Sequence, residues 1–155
     1  MNLTYRLPLL AVRDVEVSKR FYCDLFHQYV VLDLGKNVTF SGGFAVQEDF
    51  ARLVEVPPDS VIQKSHNMEL YFEVDDFDAF AARLAAYPEI AYVHRAKRHN
   101  WNQRVIRIYD PDFHIIEIGE SMSVIARRYL SAGYSVPETA TLIQHPIEFV
   151  TSCME

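Results

Sequence analysis

Two stretches of this chain, about sixty residues apart, repeat one pattern. The first is Leu10-Ala11-Val12-Arg13-Asp14, followed by the helix-like run Val17 to Phe26. The second is Phe72-Glu73-Val74-Asp75-Asp76, followed by Phe77 to Ala86. Each joins a short strand of alternating apolar residues to an Asp placed to cap the next helix. Further β-rich stretches follow each. A repeat of this period is one supersecondary unit used twice. Two such units are expected to face each other, with the chemistry where they meet.

The 155 residues suffice for one domain with a full core and are too few for two ordinary ones. Half are apolar and 13% aromatic, the composition of a folded globular protein. A net charge of −6 argues against nucleic acid and against acidic membranes as partners. The apolar runs are far too short for a membrane span. Met1 to Leu7 carries no signal-peptide pattern, so the expected compartment is the cytoplasm. Cys23 and Cys153 lie far apart and read as two free thiols, which fits a reducing compartment.

The first unit is expected to run as strand Leu7 to Val12, helix Val15 to Phe26, then strands Tyr29 to Leu34, Val38 to Phe40 and Phe44 to Gln47. Val17, Phe21 and Leu25 recur at helical spacing, and Gly35-Lys36-Asn37 and Ser41-Gly42-Gly43 supply the turns. A linker from Asp49 to Asn67 carries Pro57-Pro58 and one short helix around Phe50 to Val54. The second unit repeats the order: strand Glu69 to Val74, helix Phe77 to Ala86 closed by Pro88, then strands Tyr92 to Ala96, Arg104 to Tyr109 and His114 to Ile118. After Gly119 the pattern turns helical, with Ser121 to Ser131, Pro137 to Ile143 and Pro146 to Cys153. The organisation is thus module one over 5–48, a linker over 49–67, module two over 68–119 and a helical extension over 121–155.

The βαβββ repeat, Val12-x-Asp14 with Phe21-Tyr22, Phe72-x-Val74-x-Asp76 and Asp110-Pro111-Asp112-x-His114-x-x-Glu117 resemble the vicinal oxygen chelate superfamily. That superfamily includes glyoxalase I, bleomycin- and fosfomycin-resistance proteins and extradiol dioxygenases. The resemblance spans Leu7 to Gly119 and implies an α+β fold. Its two modules would form a curled mixed-sheet cup, usually within a homodimer. The helical tail lies outside it. In metal-dependent members four ligands stand on the first and last strands of the modules. Carried onto this chain, those positions read Leu7, Gln47, Glu69 and Glu117. Leucine binds no metal and a neutral amide is a weak ligand. The two remaining carboxylates suit one hard divalent cation, magnesium or manganese before zinc or nickel.

Strand parity adds a reading of its own, since alternate residues face the same way. Glu69, Tyr71 and Glu73 share the face opposite Leu70, Phe72 and Val74, and Glu117 faces with them. Ile106 and Ile108 pack inward, which turns Arg107 to the polar face. In the superfamily the last strand of a module lies between its first and third, so Glu117 should neighbour both Glu69 and the Arg107 strand. Three readings stand side by side for this cluster. It is a satisfied polar network in a binding pocket, a metal-free acid–base site with one Glu as base, or a cation site. The run His99-Asn100-Trp101-Asn102-Gln103-Arg104 holds the single Trp of the chain, placed to wall the mouth of the cup and stack on a flat ligand. Asn102 stands where relatives carry a Gly. The other histidines, His27, His66, His94, His114 and His145, show no partner pattern or read as structural.

The tail has the rhythm of a helix-turn-helix, but after Arg128 it contains no Lys or Arg. Without cations a recognition helix lacks the phosphate contacts that drive affinity, so the tail reads as a packing or dimer element. The functional expectation is a glyoxalase-like protein acting on a small carbonyl compound by lyase- or isomerase-type proton transfer. Glu117 and Glu69 are the catalytic candidates and also the metal candidates. Arg107, Tyr71, His99, Trp101, Arg104 and Gln47 are the ligand-binding candidates. The alternative is a non-catalytic sequestering protein of the bleomycin-resistance type. The expected partners are a small molecule and a second copy of the chain, with no nucleic acid and no membrane.

Overall fold

Asp14 opens the first helix as the repeat anticipates: its carboxylate accepts from the Glu16 N–H at 2.8 Å and the Val17 N–H at 3.1 Å. Asp76 repeats the device, accepting from the Ala79 N–H at 2.9 Å. These two caps satisfy amides that a helix start leaves without partners. The computed structural model describes residues 1–154. It is α+β, with one open four-stranded mixed sheet in each of two modules and helices at the C-terminus.

In chain order the elements are β1 (Leu9–Val12), α1 (Val15–Phe26), β2 (Val30–Asp33), β3 (Asn37–Phe40), β4 (Phe44–Glu48) and the single-turn α2 (Phe50–Leu53). A 3-10 turn at Pro58–Ser60 precedes β5 (Glu69–Val74), α3 (Phe77–Ala85), β6 (Tyr92–Arg98), β7 (Arg104–Tyr109) and β8 (Ile115–Glu120). The tail is α4 (Met122–Ser131), α5 (Val136–Ile143) and α6 (Ile147–Ser152). The sheet orders β1-β4-β3-β2 and β5-β8-β7-β6 correspond strand for strand. In each, the first strand runs parallel to the last and the remaining neighbours are antiparallel.

One compact unit comprises Met1–His66 together with Asp110–His114. Its core sets α1 against the sheet: Tyr22, Leu25 and Phe26 meet Phe40 and Phe44, with the Tyr22 ring 5.3 Å from Phe40 and 4.9 Å from Phe44. The Tyr22 hydroxyl is buried too, and it donates to Asp110 Oδ2 at 2.8 Å. Asp110 also accepts from the Asp112 N–H at 2.9 Å and the His114 N–H at 2.8 Å, and its Oδ2 lies 2.8 Å from His114 Nδ1. One carboxylate therefore organises the whole Asp-Pro-Asp turn. The Arg13 Nε closes on Asp112 at 2.7 Å.

The second unit comprises Asn67–Tyr109 and Ile115 onward. Ile106, Ile108, Ile116 and Ile118 are buried with Phe77 and Leu84 of α3, as their parity requires. The tail builds a core of its own from Met122, Ile125, Ala126, Ala140, Ile143 and Val150, against which Trp101 packs. Two further ties hold it to the sheet. Glu120, 1% exposed, pairs with Arg104 and with Arg128 of α4. Burial would raise its carboxyl pKa, but the two guanidinium hydrogen bonds outweigh burial and hold it below its ordinary value. The Asn102 amide donates to the Leu142 carbonyl at 2.9 Å. Among the described residues no helix is long and apolar enough to cross a membrane.

Candidate functional site

The register of the second sheet lines up four polar residues in one row. Tyr71 on β5 stands opposite Glu117 on β8, Glu117 opposite Arg107 on β7, and Arg107 opposite His94 on β6. Neighbouring strands lie about 4.8 Å apart, so residues in such a row touch through their side chains. The apolar alternates turn to the helices, which leaves the row on the open face.

Arg107 is the hub. Its Nε donates to Glu69 Oε2 at 2.9 Å, and its Nη2 to Glu69 Oε1 at 3.4 Å and to Glu117 Oε2. Its Nη1 lies 3.2 Å from His94 Nε2 and 3.5 Å from His99 Nε2. The His94 Nδ1 is 2.9 Å from the Arg95 carbonyl, which can only accept. The proton of His94 is therefore on Nδ1, and Nε2 is free to accept from the guanidinium. The Glu117 side chain is 8% exposed, Arg107 20% and Glu69 38%, so the pairing grades from the sheet interior to solvent.

Beside the hub, the His99 ring stacks on Trp101 with centroids 4.2 Å apart and planes within 4°. Burial and the positive charge of Arg107 both lower the His99 pKa, so its imidazole is neutral at pH 7. A hydrogen-bonded line continues from there. Trp101 Nε1 donates to Gln103 Oε1 at 2.8 Å, Gln103 Nε2 to the Tyr71 hydroxyl at 2.7 Å, and that hydroxyl to Glu73 Oε1 at 2.7 Å. Burial, then the bond to Glu73, pushes the Tyr71 phenol up to about 12. The tight turn needs a left-handed residue, and Asn102 supplies it with φ 65°. Asparagine tolerates that conformation without glycine's freedom.

Of the residues singled out in the sequence, Glu69, Glu117, Arg107 and His99 thus form one cluster, continued by Trp101 and Tyr71. Arg104 is not among them. It lies three residues from Arg107 on β7, on the opposite face, and binds Glu120 and Asp78, the latter at 2.8 Å. Gln47 is in the first unit, where it is buried and accepts from Asn37 Nδ2 at 2.9 Å. Leu7 precedes β1. Sequence reasoning missed His94 and Gln103. Antiparallel pairing of β6 with β7 would have found His94, but two register shifts on either side of it hide the parity.

The carboxylates do not fit an added metal. Both already face the guanidinium, so a divalent ion would have to displace or approach a fixed positive charge. Among the described residues no group of three or more His, Cys, Asp or Glu is arranged to hold one.

Comparison with known proteins agrees with this architecture. The family model described as a glyoxalase-like domain matches residues 5–123. A protein of unknown function from Agrobacterium tumefaciens is 37% identical, with a TM-score of 0.66, over 78% of this chain and 96% of its own. Lactoylglutathione lyase from the same organism is 23% identical, with a TM-score of 0.58, over 77% and 96%. The fosfomycin resistance protein FosX from Listeria monocytogenes is 21% identical, with a TM-score of 0.59, over 78% and 95%. These last two likenesses are of fold alone. Comparison with curated protein sequences finds no match. The chain belongs to the glyoxalase-like domain family, within the vicinal oxygen chelate superfamily.

Proposed function

We propose that the chain acts on a small carbonyl compound at the open face of its second sheet, by proton transfer of the lyase or isomerase type. The observation that supports this most is the row itself: a carboxylate, a guanidinium and a neutral imidazole converge beside a flat aromatic stack. Glu69, the more exposed carboxylate, takes a proton from the carbon next to the carbonyl. The electron pair moves to the carbonyl oxygen, and the Arg107 guanidinium stabilises the charge that develops there. Glu117, buried behind it, holds Arg107 in position. Trp101 and His99 offer a surface for a planar ligand.

The test is exchange of the α-proton of small ketones and α-hydroxy ketones in D₂O, followed by NMR. Wild-type protein is expected to exchange it, and Glu69→Gln to lose exchange while still binding. Equal exchange in both would remove Glu69 as the base.

A second reading, sequestration without turnover, draws on charge. Three carboxylates, Glu69, Glu73 and Glu117, share this face with one guanidinium and the imidazoles of His94 and His99. Such a face suits a cationic aromatic ligand. Tight binding of such a ligand with no exchange in any ketone would favour it.

A further inference from the structure

The guanidinium of Arg107 stands at the centre of four potential metal donors: the carboxylates of Glu69 and Glu117 and the Nε2 atoms of His94 and His99. Two imidazoles and two carboxylates are a donor set that divalent transition metals accept. Here each of those donors instead faces one planar cation. The guanidinium presents five N–H groups in a fixed fork. Nε and Nη2 go to the carboxylates, and Nη1 goes to the imidazoles. The His94 tautomer agrees with this assignment, because its Nδ1 proton is held by the Arg95 carbonyl and its Nε2 lone pair points at Arg107.

We propose that Arg107 is a built-in replacement for a metal ion: the guanidinium fills the centre of a His94–His99–Glu69–Glu117 donor set, makes the site independent of divalent metals, and keeps them out. A permanent charge has different properties from a bound ion. It does not respond to chelators or to metal supply, and it cannot expand its coordination to bind a ligand as a metal does. Its five N–H groups are taken up by the four side chains around it, so it acts on a ligand through its charge and presents no open coordination position. The inference stands without the catalytic reading above, since it concerns which cation the four donors hold.

Removing the guanidinium should turn these donors to a metal. They face different nitrogens of the guanidinium, and with Arg107 in place no three of them are arranged around one point, so each would have to move inward to ~2.0–2.2 Å from an ion. Glu69 is partly exposed and His94 lies on an outer strand of the sheet, so both have room to move.

The experiment uses EDTA-treated full-length protein titrated with Co²⁺ and Zn²⁺, with Co²⁺ followed by its visible absorption. Wild type is expected to take up no stoichiometric metal, and its melting temperature should not change with EDTA. Arg107→Ala is expected to bind one equivalent and to show the visible bands of a low-coordinate Co²⁺ site. Arg107→Ala/Glu117→Gln should lose at least tenfold of that affinity. Removing Arg107 leaves Glu117 without its partner, so the single variant is also melted with and without Zn²⁺. A variant that folds only with Zn²⁺ supports the proposal. Stoichiometric metal on wild type that Glu69→Gln releases would overturn it. So would an Arg107→Ala protein that takes no metal, whether it folds without one or remains unfolded in Zn²⁺. Failure of ketone exchange alongside the expected metal results would count against the catalytic reading alone.

Discussion

Glu117 and Glu69 share the Arg107 guanidinium but differ in burial, so the same substitution should cost very different amounts. Glu117→Gln breaks a buried ion pair and is expected to cost about 3 kcal/mol, at the low end of such losses because Glu69 still faces Arg107. Glu69→Gln, on a side chain that is 38% exposed, should cost less than about 1 kcal/mol. Urea unfolding of the two variants measures the contrast, and equal losses would mean that both carboxylates are solvated. Gly119 is a second residue whose role is local. A Cβ there would collide with Gln103 Nε2 and stand 3.0 Å from a Tyr71 ring carbon. Gln103 is buried and its amide is bound to Tyr71, Trp101 and the Glu120 carbonyl, so Gly119→Ala, by pushing that amide aside, should break the Tyr71–Gln103–Trp101 line and change Trp fluorescence. Much of this cluster is legible in the sequence, because period-two parity alone puts Glu69, Tyr71, Glu117 and Arg107 on one face. Arg104 shows where nearness in sequence misleads. Its nearness in sequence to Trp101 suggests a ligand contact, but strand parity turns it to the other face and onto Glu120.

The Asp110–His114 turn owes its shape to one carboxylate, and its stability should depend on pH through His114. Burial alone would lower the His114 pKa, but the hydrogen bond to Asp110 and the charges of Asp110 and Asp112 raise it above its ordinary value. A pKa raised by folding means that the folded state holds the proton more tightly. The stabilisation is complete below about pH 6.5, the unfolded value, and is lost as pH rises through the folded value. Urea midpoints should therefore fall for wild type between about pH 6 and pH 8 relative to His114→Gln; parallel curves would show that His114 carries no such linkage. The same turn receives the Tyr22 hydroxyl, so Tyr22→Phe should cost about 1.5–3 kcal/mol by removing a buried hydrogen bond to a charged group. At this scale the elements were readable because caps, apolar alternation and turn residues agree with one another. The sequence pattern ends β6 at Ala96, whereas the strand runs on to Arg98. Its last residues are charged and lie on the exposed side of a hairpin, where apolar periodicity gives no signal.

For the whole molecule, the open edge of the first sheet and the helical tail ask separate questions. β2 exposes Val31 and Leu32, with Tyr29 and Leu34 exposed at its ends. We propose that a homodimer covers this apolar edge. Light scattering should then give twice 18.0 kDa, and Val31→Lys should shift the protein toward monomer. The tail is beyond the family match, which ends at Ser123, yet its core is as well buried as that of the sheets. Its helices could be read from the sequence; what they hold could not, because Asn102 and Trp101 reach it across long sequence separations. Asn102 bonds to the last turn of α5, and Trp101 packs on the tail core, so the tail holds in place the turn that carries His99 to Arg107. Trp101 is the single Trp of the chain and reports on that turn directly. Ile143→Ala, at a fully buried tail position, should cost about 2–5 kcal/mol in tail stability. Deleting residues 124–155 should move the Trp emission to the red and weaken the His99–Trp101 stack, while the sheet core keeps its far-ultraviolet strand signal. If the emission stays where it is in wild type, the turn is held by Gln103 and the sheet alone, and the tail has no part in positioning His99.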